Sequence, residues 1–200
     1  MRVLVVEHLT LDGVVQGPGR ADEDTRDGFA HGGWATARSD ERLGAAMGAR
    51  MGGEFAWLFG RRSYDGMLSH WNATGGPFRD GLNGPVKYVA TSAPESDLTW
   101  PNTVRLGDDV PAAVAELRRR PGGTLVVMGS AELVRSLLPH GLVDELFLMI
   151  HPVVLGTGRQ LFAGTAAPAD LTLVDTEVTP AGVVLATYRP AAGPPSDTGA

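Results

Sequence analysis

Cysteine is missing from all 200 residues. That excludes a disulfide framework, a thiol nucleophile and any zinc site built on thiolates, and it fits a reducing compartment. Basic charge is scarce as well, with 17 Lys and Arg against 23 Asp and Glu and a net charge of −6. Nucleic-acid binding needs a concentrated basic face. The one dense basic run, Arg118-Arg119-Arg120, falls at the end of a predicted helix, where cations complement the helix dipole. No apolar run approaches the ~20 residues of a membrane span. The N-terminal run Val3-Leu4-Val5-Val6 is too short for the apolar segment of a signal peptide. These absences point to a cytoplasmic chain with neither nucleic acid nor membrane as partner. The length suits one domain over residues 1–190, followed from Ala191 by a tail containing Gly-Pro-Pro-Ser that is expected to be disordered.

What is present is an alternation of short apolar runs and helical periods. Strands are predicted over residues 2–9, 54–59, 86–91, 103–106 and 124–128. Helices are predicted from Ser39-Asp40 to Met51, over 62–70, from Asp108 or Asp109 to the arginine run, and over 131–138. The last third changes character: residues 143–151, 171–178 and 182–189 follow one another with no helix between them and read as antiparallel strands. The polar, Gly-rich stretch from Ala21 to Trp34 reads as a flexible loop over one edge. The whole predicts an α/β domain with a mostly parallel central sheet, antiparallel C-terminal strands and helices on both faces. Segment 143–151 is expected at or near the centre of the sheet. Ligands in such sheets bind outside the carboxyl ends of the strands.

Three strand ends therefore matter. The first is Gly60-Arg61-Arg62-Ser63, where a strand passes through glycine into a helix whose N–H groups and dipole suit a phosphate. The arginines add charge-assisted contacts, although an ordinary turn with two solvated arginines has the same letters. The second is Thr91-Ser92, whose hydroxyls either receive a phosphate or close a turn. The third is Gly129-Ser130-Ala131-Glu132, again strand, glycine and helix. None is a Gly-x-Gly-x-x-Gly fingerprint.

The order Leu11-Asp12-Gly13, Gly-Arg-Arg-Ser-Tyr at 60–64, Val-Ala-Thr-Ser-Ala-Pro at 89–94, Met-Gly-Ser-Ala-Glu-Leu-Val at 128–134 and the long segment Leu142–Phe162 resembles the dihydrofolate reductase superfamily. Within it, the chain is most similar to the reductase domain of the bifunctional riboflavin-biosynthesis deaminase/reductase and its stand-alone relatives. The resemblance runs from residue 2 to about 189. It implies a three-layer dihydrofolate-reductase-like fold, a small-molecule substrate, a homodimer and NADPH lying over the strand ends. Arg61, Arg62 and Ser63 would then face phosphates. Thr91 and Ser92 would lie beside the adenosine ribose phosphate, and Gly129, Ser130, Ala131 and Glu132 would form the second pyrophosphate and nicotinamide wall. Dihydrofolate reductases carry Gly-Gly where this chain has Gly129-Ser130, a departure that predicts a less strained backbone there.

Acid–base candidates are Glu7, His8, Asp12, Asp40, Glu41 and His151. The helix carboxylate of dihydrofolate reductases would fall near Gly44, and Asp40 and Glu41 are off that register, which argues against pterin reduction. Asp12 matches the family's Ser-Leu-Asp-Gly motif and is the candidate catalytic residue, with the plain Asp-Gly turn as the competing reading. His151 and His8 are expected in the sheet. Trp34, Tyr64 and Trp71 line either a substrate pocket or the core, and the loop 155–160 lies near the substrate or forms a plain turn. Two functions stay open: an NADPH-dependent reductase of a small heterocyclic or carbonyl substrate, and a non-catalytic protein that keeps the fold and binds a nucleotide or small molecule.

Overall fold

In the computed structural model, residues 1–165 and 168–191 are described. The expected tail falls outside them from residue 192 onward. Eight strands form one sheet: β1 (Arg2–Thr10), β2 (Phe55–Gly60), β3 (Lys87–Ala90), β4 (Thr103–Arg105), β5 (Thr124–Met128), β6 (Glu145–His151), β7 (Leu171–Val178) and β8 (Val184–Pro190). Their spatial order is β4-β3-β2-β5-β1-β6-β8-β7. The first six run parallel, and β8 lies antiparallel to both β6 and β7. As predicted, β6 is near-central, beside β1. The antiparallel end follows from the sequence: no helix stands between β7 and β8 to carry the chain back across the sheet.

Five helices cover the faces: α1 (Glu41–Arg50), α2 (Arg61–Thr74), α3 (Pro77–Asn83), α4 (Val110–Arg119) and α5 (Ala131–Leu137). Strand β1 sorts its side chains by alternation. Val3, Val5 and Leu9 pack with Val114, Leu117, Leu133 and Leu137 of α4 and α5. Leu4 and Val6 face the other way, with Leu43, Tyr64, Leu68 and Leu82 of α1, α2 and α3. The next two residues continue the two rows, so Glu7 and His8 emerge on opposite faces near the carboxyl end of the sheet. Tyr64 belongs to the core.

Helix α3 is absent from the sequence-based expectation. Gly75 and Gly76 both adopt positive φ and look like a loop, yet Pro77 occupies the first turn of the helix, where its missing N–H costs nothing. The stretch 21–34 also differs from the expected flexible loop. Phe29 and Trp34 are buried in a small core of their own with Val14, and the Trp34 indole N–H donates to the Gln16 carbonyl at 2.8 Å.

Helix α1 is fastened to the late strands. Asp40 caps it by accepting from Leu43 N at 2.8 Å, and its other oxygen accepts from Ala181 N at 3.1 Å. Arg42 pairs with Glu177, and Arg50 reaches Glu145 and Asp175. At the other side of the sheet, the fully buried Lys87 donates to the carbonyls of Leu82, Asn83 and Pro85 at 2.9, 3.1 and 3.0 Å. It thereby ties the end of α3 to β3. Replacing it with Lys87→Met leaves those carbonyls without their donor and is expected to cost roughly 2–4 kcal/mol. A urea midpoint that falls with an unchanged slope would show this, and an unaltered midpoint would contradict it.

Candidate functional site

A cleft of about 550 Å³ opens at the carboxyl end of the sheet, over the ends of β1, β5 and β6 and between α2, α5 and the loop after β1. Its apolar wall includes Met47, Met67, Trp71, Phe78 and Met149. Its other side carries Arg62, Ser63 and the turn Gly129–Glu132, and its floor contains Glu7 and His8.

Two strand-end turns meet at this cleft. A Cβ on Gly60 would lie 2.5 Å from the Ser130 Oγ, and one on Gly129 would lie 3.0 Å from the Ser63 Oγ. Each turn therefore needs its glycine so that the other turn's serine fits. Ser130 sits in the left-handed region at φ 88, after Gly129 at φ 72. This corrects the expectation of a relaxed backbone where serine replaces glycine. The strain is offset locally, because the Ser130 hydroxyl accepts from Leu133 N at 3.3 Å and caps α5. At Gly60, by contrast, α2 starts with no side-chain cap. The first N–H groups of that helix stay available to an anion.

The proposed phosphate ligands divide. Arg62 lines the cleft and has no hydrogen-bond or ion-pair partner among the described residues. Arg61 pairs with Asp65 at 2.7 Å. Thr91 uses its hydroxyl to accept from Ala93 N at 3.0 Å, and neither Thr91 nor Ser92 lines the cleft. Glu132 pairs with Arg159, which also holds Asp27.

Asp12 stands outside the cleft. Its carboxylate accepts from the Thr10 hydroxyl at 2.6 Å, from Leu155 N at 3.2 Å and from Gly156 N at 2.7 Å. The Thr10 hydroxyl, followed by these N–H groups, holds it below the usual carboxylate range. Its occupation here is to bind the loop after β6 to the turn after β1. Asp40 is spent as the α1 cap, and Glu41 is exposed.

Glu7 and His8 line the cleft, and His151 lies buried beside His8. His8 Nδ1 lies 2.9 Å from His151 Nε2, and Trp34 presents an edge to His151 at 5.2 Å between ring centroids. Burial pushes His8 down to about 3 and His151 to about 4, so the pair is neutral at pH 7. His151 Nδ1 is buried without a partner. An orphaned acceptor is tolerated better than an orphaned N–H, so the proton of His151 belongs on Nε2 and that of His8 on its other nitrogen. Sequence spacing gave no reason to rank Glu7 and His8 above the other acids and histidines. Their signal was a charged and a polar residue ending an otherwise apolar strand.

The RibD C-terminal domain family matches residues 2–185. The chain belongs to that family. Over 84 residues it is 37% identical to the uncharacterized protein YyaP of Bacillus subtilis, a stretch that covers 42% of this chain and 45% of that one. The chain thus spans less than half the length of this curated relative. A pyrimidine reductase-like protein from Corynebacterium diphtheriae superposes with a TM-score of 0.64 at 13% identity, covering 96% of this chain and 92% of its own. Dihydrofolate reductase from Enterococcus faecalis, complexed with NADP(H), gives 0.60 at 14% identity over 94% and 96%. The fold is therefore dihydrofolate-reductase-like.

The interlock of the two turns is testable in isolation. Gly60→Ala is expected to cost about 1–3 kcal/mol through overpacking against Ser130. Ser130→Gly removes both opposing atoms and relieves the positive φ, at the expense of a cap whose loss to glycine costs only a few tenths. The double variant should recover most of the stability lost in Gly60→Ala. Strictly additive denaturation energies across the four proteins would refute the interlock.

Proposed function

We propose that this chain is an NADPH-dependent reductase acting on a small heterocyclic or carbonyl substrate. One observation carries the proposal: the interlocked turns of β2 and β5 bring an uncapped helix N-terminus and an unpartnered arginine to the same cleft. Membership of a family named for a riboflavin-biosynthesis domain and a fold shared with an NADP(H)-bound reductase support it.

The residues present fit a dinucleotide phosphate. The N–H groups at the start of α2, the Ser63 hydroxyl and the Arg62 guanidinium offer donors, and no acidic side chain follows Gly60 until Asp65. Gly129 lets the backbone of the second turn approach a ligand with no side chain in the way. Arg61, Thr91 and Ser92 would complete the pocket for an added ribose phosphate once Arg61 leaves Asp65. Bound there, the cofactor supplies a hydride. The chain's own work is then to orient and enclose. Trp71, Phe78 and the methionines exclude water from one side, and the Gly129–Glu132 turn closes the other. Pyrimidine-type heterocycles are the first substrates to try. A cytoplasmic location belongs to the same proposal; among the described residues no helix is long and apolar enough to cross a membrane.

A homodimer is also proposed. Strand β7 is one of the two sheet edges, and Leu173, Val174 and Val178 on it are exposed, the kind of edge that a second copy covers. Light scattering at micromolar concentration should give twice the chain mass, and Val178→Asp with Leu173→Asp should halve it. A monomeric wild type would remove this part of the proposal.

For the cofactor, an Arg–phosphate contact contributes roughly 1.5–3 kcal/mol, or about 10–150-fold in affinity. NADPH is expected to bind at least about tenfold more tightly than NADH at one fixed salt concentration. Arg62→Ala should erase most of the gap, and Arg61→Ala less of it. Equal affinities in the wild type, or no binding of either cofactor, would overturn the assignment.

A further inference from the structure

Two glutamates are buried among the described residues. Glu145 is surrounded by Arg2, Arg50 and Arg189. Glu7 has no cationic partner, although it lies on the floor of the cleft. Its Oε2 is enclosed and accepts from no group. An ionised carboxylate left in that position would be very costly, so the site favours the acid. Burial, followed by the negative charge of Glu23, pushes Glu7 up to about 8, against the N–H groups of His8 and Gly129 that pull it down.

Apart from His8, the other charged and titratable groups facing the cleft come from the loops after β1 and β6 and from α2 and α5. From the loop after β1, Asp24 is held below the usual range by Arg26, and Glu23 accepts from Gly19 and Arg20 N. From α5, Glu132 pairs with Arg159, while Arg135 donates to the carbonyls of Gln160 and Leu161. From α2 come Arg62 and His70, and Arg20 pairs with Asp22. The His8–His151 pair is kept neutral by burial.

We propose that Glu7 is the proton donor of the site: its carboxyl, beside Gly129 on the cleft floor, hydrogen-bonds the nitrogen or oxygen of the double bond that is reduced and protonates it. This rests on the reductase proposal above, with a reduced nicotinamide as the reductant. A hydride forms the new C–H bond, and the π pair of the C=N or C=O bond moves to the heteroatom. There that pair takes the Glu7 proton, leaving a carboxylate that recovers its proton from water. The site accordingly takes substrates that present an acceptor atom to Glu7, and it disfavours carboxylate groups at that point.

The test uses the full chain with quinazolin-4-one, a flat neutral lactam, as probe, and follows binding by tryptophan fluorescence between pH 6 and pH 9. In wild type the dissociation constant should be flat below Glu7's titration and rise about tenfold from pH 7 to pH 9, because ionisation removes the donated hydrogen bond. Glu7→Gln keeps a donor without a titration; it should bind the probe within a few-fold at pH 7 and show no rise. In protein labelled with carbon-13 at the glutamate carboxyl, one resonance should titrate near 8 in wild type and vanish in Glu7→Gln. Identical pH profiles in the two proteins, or no glutamate titrating above pH 6, would overturn the proposal. NADPH affinity measured on the same two proteins should be equal. Its absence from both would count against the cofactor proposal alone, since the probe's pH profile is read without cofactor.

Discussion

The closeness with which β2 and β5 end beside one another governs the cleft. Parallel neighbours must each leave the sheet through a turn, and here both turns occupy the same few ångströms. The space closes only because each contributes a glycine where the other contributes a serine. From that contact follow the open start of α2, the left-handed Ser130 and the exposure of Arg62 toward the cleft. A side chain added at either glycine would move a helix N-terminus, because the turn and the first turn of its helix are one piece of backbone.

The second constraint is the price set by burial. The floor of the cleft holds a carboxyl and an imidazole at the end of an otherwise apolar strand, with a second, buried imidazole beside the first. All three are driven toward their uncharged forms, the acid upward and the imidazoles downward, by the same loss of water. The result is a surface that is polar without being charged. It stands next to a region rich in arginine, so the two ends of the cleft differ in the kind of ligand atom they accept.

Much of this was legible in the sequence. Strand positions followed from apolar runs bounded by glycine, and the antiparallel end from the missing helices. The glycine at each of two strand ends marked the turns that line the cleft. Three matters were not legible. Helix α3 was hidden because Gly75-Gly76-Pro77 has the letters of a loop, and only its contact through Leu82 with the core shows why it is helical. The duties of Asp12 and of Arg61 depend on partners, Gly156 and Asp65, of which the first lies 144 positions away. The standing of Glu7 depends on what does not approach it. No pattern of letters records that a buried carboxylate lacks a cation, whereas Glu145 gathers three from three separate segments.

The fastening of α1 bears on when the site is completed. Its cap oxygen meets Ala181, and its arginines meet Glu177 and Asp175. These contacts close loops of well over a hundred residues, a slow kind of event in folding. Synthesis proceeds from the other end, so β1, β2, β3, β4 and β5 and the turns after β2 and β5 can assemble before the last hairpin exists. The wall bearing Met47 is set only when residues 171–187 dock. A chain cut before that hairpin would keep the turns and lack the wall, which makes the C-terminal strands the final gate on a working cleft.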